Sequence, residues 1–192
     1  MKRHLPSALT TLRLLLGPVA LLCALADVSR LVYLPILIVG TLSDILDGIL
    51  ARKFGVATAA LRRYDSIADV IYYLFILATT WRLCQPVCLQ NWPAIALILL
   101  SHLLVILVCL IRFGKYPAAH SYLAKFYGLC LLACFIALLA FNAGNWAVIT
   151  LTIVALITNT EIIMMHLLAN KPPVDVSSIF ALRQRKNLSH KQ

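Results

Sequence analysis

The sequence predicts an all-α membrane protein, a polytopic bundle of six transmembrane helices with both termini on the cytoplasmic side. Three observations predict it. Of the 192 residues, 62% are hydrophobic and 12% charged, with mean hydropathy +0.92; an ordinary soluble domain carries about twice that charge. Apolar runs close to the roughly 20 residues that cross a bilayer recur from end to end. The basic residues crowd into alternate connections between those runs.

The spans are expected near 7–26, 32–51, 64–83, 93–112, 122–141 and 146–168. Met1-Lys2-Arg3-His4 followed by Leu14 to Ala26 imitates a signal peptide, and Ala24-Leu25-Ala26 imitates its cleavage site. The apolar run is long for that purpose and a second span follows at once, so it reads as the first helix. Asp27-Val28-Ser29-Arg30 breaks the chain before the second span. The link from Lys53 to Arg63 is short, which makes the second and third helices antiparallel neighbours. Gln85-Pro86, Pro117 and Asn142-Ala143-Gly144-Asn145 are the remaining breakers. Pro172-Pro173 closes the last span, leaving residues 1–171 as the membrane domain and 172–192 as a basic cytoplasmic tail.

With six spans, Lys2, Arg3, Arg52, Lys53, Arg62, Arg63, Arg112, Lys115, Lys171 and the tail residues Arg183, Arg185, Lys186 and Lys191 share one side. Only Arg30 and Arg82 fall on the other. The positive-inside rule makes the shared side cytoplasmic, and losing one helix would scramble the asymmetry. The net charge of +10 therefore answers to insertion and anionic headgroups. Nucleic acid is excluded as a partner, because aromatic residues are not interleaved with these charges. The six cysteines (23, 84, 88, 109, 130 and 134) read as small buried hydrophobes. Cys84 and Cys88 lie near a predicted outer loop and could pair on an oxidising side; neither has the partners of a zinc site.

Four of the seven acidic residues lie between Ser43 and Asp69. Asp44 and Asp47 are three apart, and Asp65 and Asp69 four apart, so each pair shares a helix face. Antiparallel neighbours then bring all four to about the same depth. Solvated helix-end charges would account for Asp44 or Asp65 alone. They do not account for Asp69, a turn further into an apolar helix, where an ionised carboxylate costs about 2.5–3.5 kcal/mol. Mutually repelling carboxylates need counter-charge, and hard divalent cations with oxygen ligands supply it. Gly48 leaves room beside the cluster. Arg52 adds a permanent cation suited to phosphate. Aspartates, metals and arginine together read as a pyrophosphate site.

These residues resemble the signature of the CDP-alcohol phosphatidyltransferases. It reads here Asp44-Ile-Leu-Asp47-Gly48-Ile-Leu-Ala51-Arg52, eight residues, Leu61, three residues, Asp65-Ser-Ile-Ala-Asp69. Seven of its eight fixed positions match; Leu61 stands where the family has a second glycine. The opening Leu5-Pro6-Ser7-Ala8-Leu9-Thr10-Thr11-Leu12-Arg13 is also similar to the start of phosphatidylglycerophosphate synthases, with Ser7 for the usual Asn. The resemblance implies that Asp44, Asp47 and Asp65 ligate two divalent ions (Mg2+ or Mn2+) and that Asp69 is the general base, touching a metal as well. It implies that Gly48, Ala51 and Arg52 line the CDP site. Leu61 departs from the pattern, and Arg62 and Arg63, which follow it directly, are expected to hold phosphates from a shifted position. A homodimer is implied too, and the charge asymmetry places the site at the cytoplasmic face of the cell (inner) membrane.

The expected reaction moves a phosphatidyl group from a CDP-alcohol such as CDP-diacylglycerol to a small alcohol acceptor, releasing CMP. Arg112, Lys115, His120 and Lys125 cluster between the fourth and fifth spans. They suit an anionic acceptor such as glycerol 3-phosphate or an inositol phosphate. Glu161, the sole glutamate, lies in the sixth span, where it pairs with Lys125 or an active-site arginine, orients an acceptor hydroxyl, or forms a structural salt bridge. His166 is placed at the interface with no role. The rival readings are a divalent-metal transporter and a catalytically inactive family member. A transporter needs polar groups through the full membrane depth, and the outer halves of the second and third spans are apolar. An inactive member would trace to Leu61, though all four aspartates are intact.

Overall fold

A computed structural model describes residues 4–56, 58–114 and 121–169. They form six helices: α1 (Leu5–Leu25), α2 (Tyr33–Lys53), α3 (Ala59–Gln90), α4 (Trp92–Phe113), α5 (Tyr122–Leu139) and α6 (Asn145–Leu168). A 3-10 turn, Arg30–Val32, leads into α2. There is no strand among the described residues. Each helix contains a stretch long and apolar enough to cross a membrane, which makes this a multi-pass membrane protein. The 172–192 tail lies outside the described residues.

The chain divides into two compact units, Met1–Cys88 with Phe135–Gly144, and Leu89–Cys134 with Asn145–Gln192. In the first, α1, α2 and α3 approach closely through small residues. A Cβ on Gly17 would stand 3.1 Å from Phe75 Cβ and 3.2 Å from Tyr72 Cα. One on Gly40 would stand 2.4 Å from the Tyr72 hydroxyl. Without a hydrophobic drive between helices in lipid, such close packing is the main source of association.

The α2–α3 link is short because both of its ends carry local stop and start signals. At the end of α2, Gly55 takes φ +66°, which glycine adopts without penalty. Its N–H donates to the Arg52 carbonyl at 3.2 Å and that of Val56 to Ala51 at 3.0 Å, the paired bonds of a Schellman motif. Thr58 then caps α3, its Oγ1 accepting from the Leu61 N–H at 3.2 Å.

The third span departs from expectation. Gln85-Pro86 was expected to end it, but α3 continues to Gln90 through a kink at Cys84 (φ −127°, ψ 29°). Proline removes one backbone bond and crowds the preceding turn. Unwinding in lipid would orphan more backbone groups than bending does. Beside the kink, Arg30 donates to the Leu83 carbonyl at 2.9 Å, and also to the Leu138 carbonyl of α5 at 3.3 Å. The Cys84 thiol also donates to Leu138, at 3.3 Å. All six cysteines are free, so the conditional Cys84–Cys88 pairing is not formed.

In the second unit, α4 and α6 run parallel and are tied at three levels. Asn91 Nδ2 donates to Asn145 Oδ1 at 2.7 Å where the helices begin. Asn159 Nδ2 donates to Ser101 Oγ at 2.8 Å and lies 3.1 Å from His102 Nδ1 midway. Arg112 donates to the Ala169 carbonyl at 3.2 Å where they end. His166, placed at the interface by sequence, is almost fully buried. Its Nδ1 is 2.8 Å from the Ile162 carbonyl and its ring 6.0 Å from that of Phe113. The neighbouring turns of α4 and α6 enclose it.

Candidate functional site

The antiparallel register of α2 and α3 decides which aspartates meet. At 1.5 Å per residue, Asp47 lies about 9 Å and Asp44 about 14 Å from the end of α2; Asp65 lies about 9 Å and Asp69 about 15 Å from the start of α3. Asp44 is thus level with Asp69, and Asp47 with Asp65. Carboxylate oxygens of Asp44, Asp47 and Asp65 lie within 4.8 Å of one another.

A third helix enters the cluster. Arg13, eight residues into α1, sends its guanidinium among all four carboxylates. Nη1 pairs with Asp44 and, at 2.7 Å, with Asp69; Nη2 pairs with Asp65 and lies 3.5 Å from Asp47. One terminal nitrogen therefore serves the deep pair of aspartates and the other the shallow pair. The two terminal nitrogens carry four N–H groups, one for each carboxylate. Nε is buried with no partner among the described residues. Arg13 is 2% exposed, Asp47 5%, Asp65 34%, Asp69 35% and Asp44 47%. Arg13 and Asp47 form the floor of the site, and the other three aspartates border its open side.

Thr10, one turn before Arg13, is equally buried. Its hydroxyl is 2.9 Å from Asp47 Oδ2 and 3.1 Å from the Pro6 carbonyl. A hydroxyl has one proton, and the carboxylate, closer and charged, is the stronger acceptor. Thr10 therefore holds Asp47 in one rotamer. Thr11 Oγ1 and the Tyr64 hydroxyl, 2.8 Å apart, tie α1 to the first turns of α3.

The other expected residues fall as follows. Gly48 is half-buried, Ala51 buried and Arg52 exposed. Arg52 folds back one turn, its Nη1 3.9 Å from where a Gly48 Cβ would be. Leu61 is half-buried on the opening turns of α3. Arg112 and Lys125 are exposed in the second unit; Lys125 Nζ lies 5.8 Å from the Tyr122 ring centre. Glu161 is half-buried on α6. The Arg62 side chain, Lys115 and His120 lie outside the described residues.

Sequence reasoning missed Arg13 and Thr10 as members of the cluster. Arg13 entered it only as the last residue of the opening motif. The signal was present, because a cation well inside an apolar span seldom lacks a partner, and the nearest unexplained charges were the aspartates.

The arrangement offers hard oxygen donors to a divalent cation, with a spare carboxylate at the rim. Four carboxylates facing one guanidinium leave three formal negative charges uncompensated among these side chains. This donor set fits divalent metal.

Comparison with protein families matches residues 3–168 to the model described as CDP-alcohol phosphatidyltransferase. Neither the curated proteins nor the solved structures yield a match. The family uses CDP-alcohol donors and alcohol acceptors in a membrane, generally with divalent metal.

Proposed function

Because this chain belongs to the CDP-alcohol phosphatidyltransferase family, we propose that it moves a phosphatidyl group from CDP-diacylglycerol to a phosphorylated alcohol such as glycerol 3-phosphate, releasing CMP. The observation that carries the reading is the convergence of Asp44, Asp47 and Asp65 within 4.8 Å, with Asp69 across the same guanidinium.

Asp44, Asp47, Asp65 and, at its edge, Asp69 would hold two divalent ions, Mg2+ or Mn2+. When bound, these ions supply charge neutralisation for the transferred phosphate and the departing CMP. Asp69 accepts the proton of the acceptor hydroxyl as that oxygen bonds to the phosphorus remote from cytidine. The bond from that phosphorus to the bridging oxygen breaks, and CMP leaves with the bridging oxygen. Gly48 and Ala51 leave room for the nucleotide. Arg52, exposed and lying over Gly48, holds a phosphate oxygen, and Arg62 assists it. Asp47 is fixed by Thr10, so the ligand set is formed in advance.

Arg112, Lys115, His120 and Lys125 bind the acceptor's phosphate; the exposure of Arg112 and Lys125 supports this. One Arg112 nitrogen donates to the Ala169 carbonyl, and the guanidinium carbon lies 5.7 Å from the Phe113 ring centre. The distribution of basic residues supports a cytoplasmic active site in the cell membrane, and the family's habit supports a homodimer. Labelled acceptors offered with CDP-diacylglycerol and Mn2+ test the substrate assignment. Glycerol 3-phosphate or inositol phosphate is expected to be incorporated in preference to inositol and serine. If only the uncharged alcohols react, the acceptor site is misassigned.

A further inference from the structure

Arg13 is not a bystander to metal loading. Its guanidinium touches the same carboxylates that a divalent ion would require: Asp44, Asp65 and Asp69 directly, and Asp47 at 3.5 Å. It is almost wholly buried and comes from α1, a helix outside the aspartate signature. Positive charges a few ångströms apart repel strongly where water is scarce. Full contact of Arg13 with four carboxylates is therefore incompatible with full metal occupancy of the same oxygens.

We propose that Arg13 is a resident counter-cation of this site, which metal loading must draw off the carboxylates. The inference rests on the metal-site reading given above. In the absence of metal the guanidinium holds α1, α2 and α3 together across carboxylates that would otherwise repel one another. As metal enters, those contacts are surrendered, so Arg13 weakens metal binding while it stabilises the metal-free protein. The buried Nε, with no partner among the described residues, shows that the carboxylates do not use every donor of this side chain. The consequence runs against the usual expectation for a buried site residue, since its removal tightens binding of a ligand.

The test uses the purified full chain in detergent, with Mn2+ binding measured by titration calorimetry or by the loss of the free-ion paramagnetic resonance signal. Melting temperature is measured in parallel, in chelator and in Mn2+. Arg13→Met is expected to bind Mn2+ about tenfold or more tightly than the parent. Its melting temperature should fall in chelator and recover in Mn2+ by more than the parent gains. Arg13→Lys keeps one charge without the fork that spans both pairs and should fall between the two. If Arg13→Met survives purification only with Mn2+ present, that also supports the proposal, and Arg13→Lys then supplies the affinity comparison. Equal or weaker Mn2+ binding by the variants, with the parent binding normally, overturns the role of Arg13 alone. Failure of the parent to bind Mn2+ at all overturns the metal site and the proposal with it.

Discussion

Both units bury polar side chains in apolar helices, and they balance them in opposite ways. In the second unit, Asn91 meets Asn145, and Asn159 meets Ser101 and His102. These are short side chains satisfying one another on parallel helices. In the first unit, four carboxylates face one guanidinium, and the charges do not cancel. A satisfied neutral cluster is what helix association in lipid needs. An unbalanced charged cluster is costly for association alone and suits a site that takes up cations. The contrast separates polar residues that hold the protein together from those proposed to do chemistry.

Mutations at the two clusters should therefore fail in different ways. The largest effect is expected at Asp69. Asp69→Asn keeps the shape and removes the proposed base, and transfer should drop by about a thousandfold with the melting temperature close to the parent's. Near-normal turnover in the purified variant would remove Asp69 from the reaction. Asp47→Asn comes next. It removes a buried carboxylate, proposed as a metal ligand, that touches Thr10 and faces Arg13, and Mn2+ binding should weaken together with activity, each by about a hundredfold. Activity lost with metal affinity unchanged would separate Asp47 from the metals.

Thr10→Val removes only the hydroxyl that fixes Asp47. Loss of such an outer partner typically costs 10–100-fold, and about tenfold is expected here in metal affinity, with little change in stability. The smallest effect on chemistry belongs to the second unit. Asn159→Leu should lower stability by about 1 kcal/mol, read from thermal or denaturant unfolding in detergent, and leave turnover per folded molecule within about twofold. A severe loss of turnover there would erase the distinction between the clusters.

Most of the architecture was legible in the sequence because lipid leaves few options: each apolar run of sufficient length must be a helix. The exception, the third span, is instructive. Pro86 reads as a terminator in water, whereas here the helix bends at Cys84 and Arg30 donates to the Leu83 carbonyl beside the bend. The meeting of the aspartates was legible from their spacing and the short α2–α3 link. The participation of α1 was not, because periodicity on one helix does not say which neighbour its polar face meets. Arg13 shows the gap: its charge was conspicuous, but its partners lie 31 to 56 residues away in sequence. His166 shows a similar gap. Its position near the end of a helix suggested headgroups, and its burial, with the Phe113 ring 6.0 Å away, could not be read from α6 alone.

We propose that carboxylates from α2 and α3 act together as a divalent-metal site for cleavage of a CDP-alcohol. This is tested most directly by measuring CMP release from CDP-diacylglycerol by the purified chain, with acceptor present, as Mn2+ or Mg2+ is titrated from chelator upward. No release is expected in chelator, with release that saturates as metal is added and one phosphatidyl product for each CMP. CMP formed equally well in chelator, or none at any metal concentration with any acceptor, would contradict it.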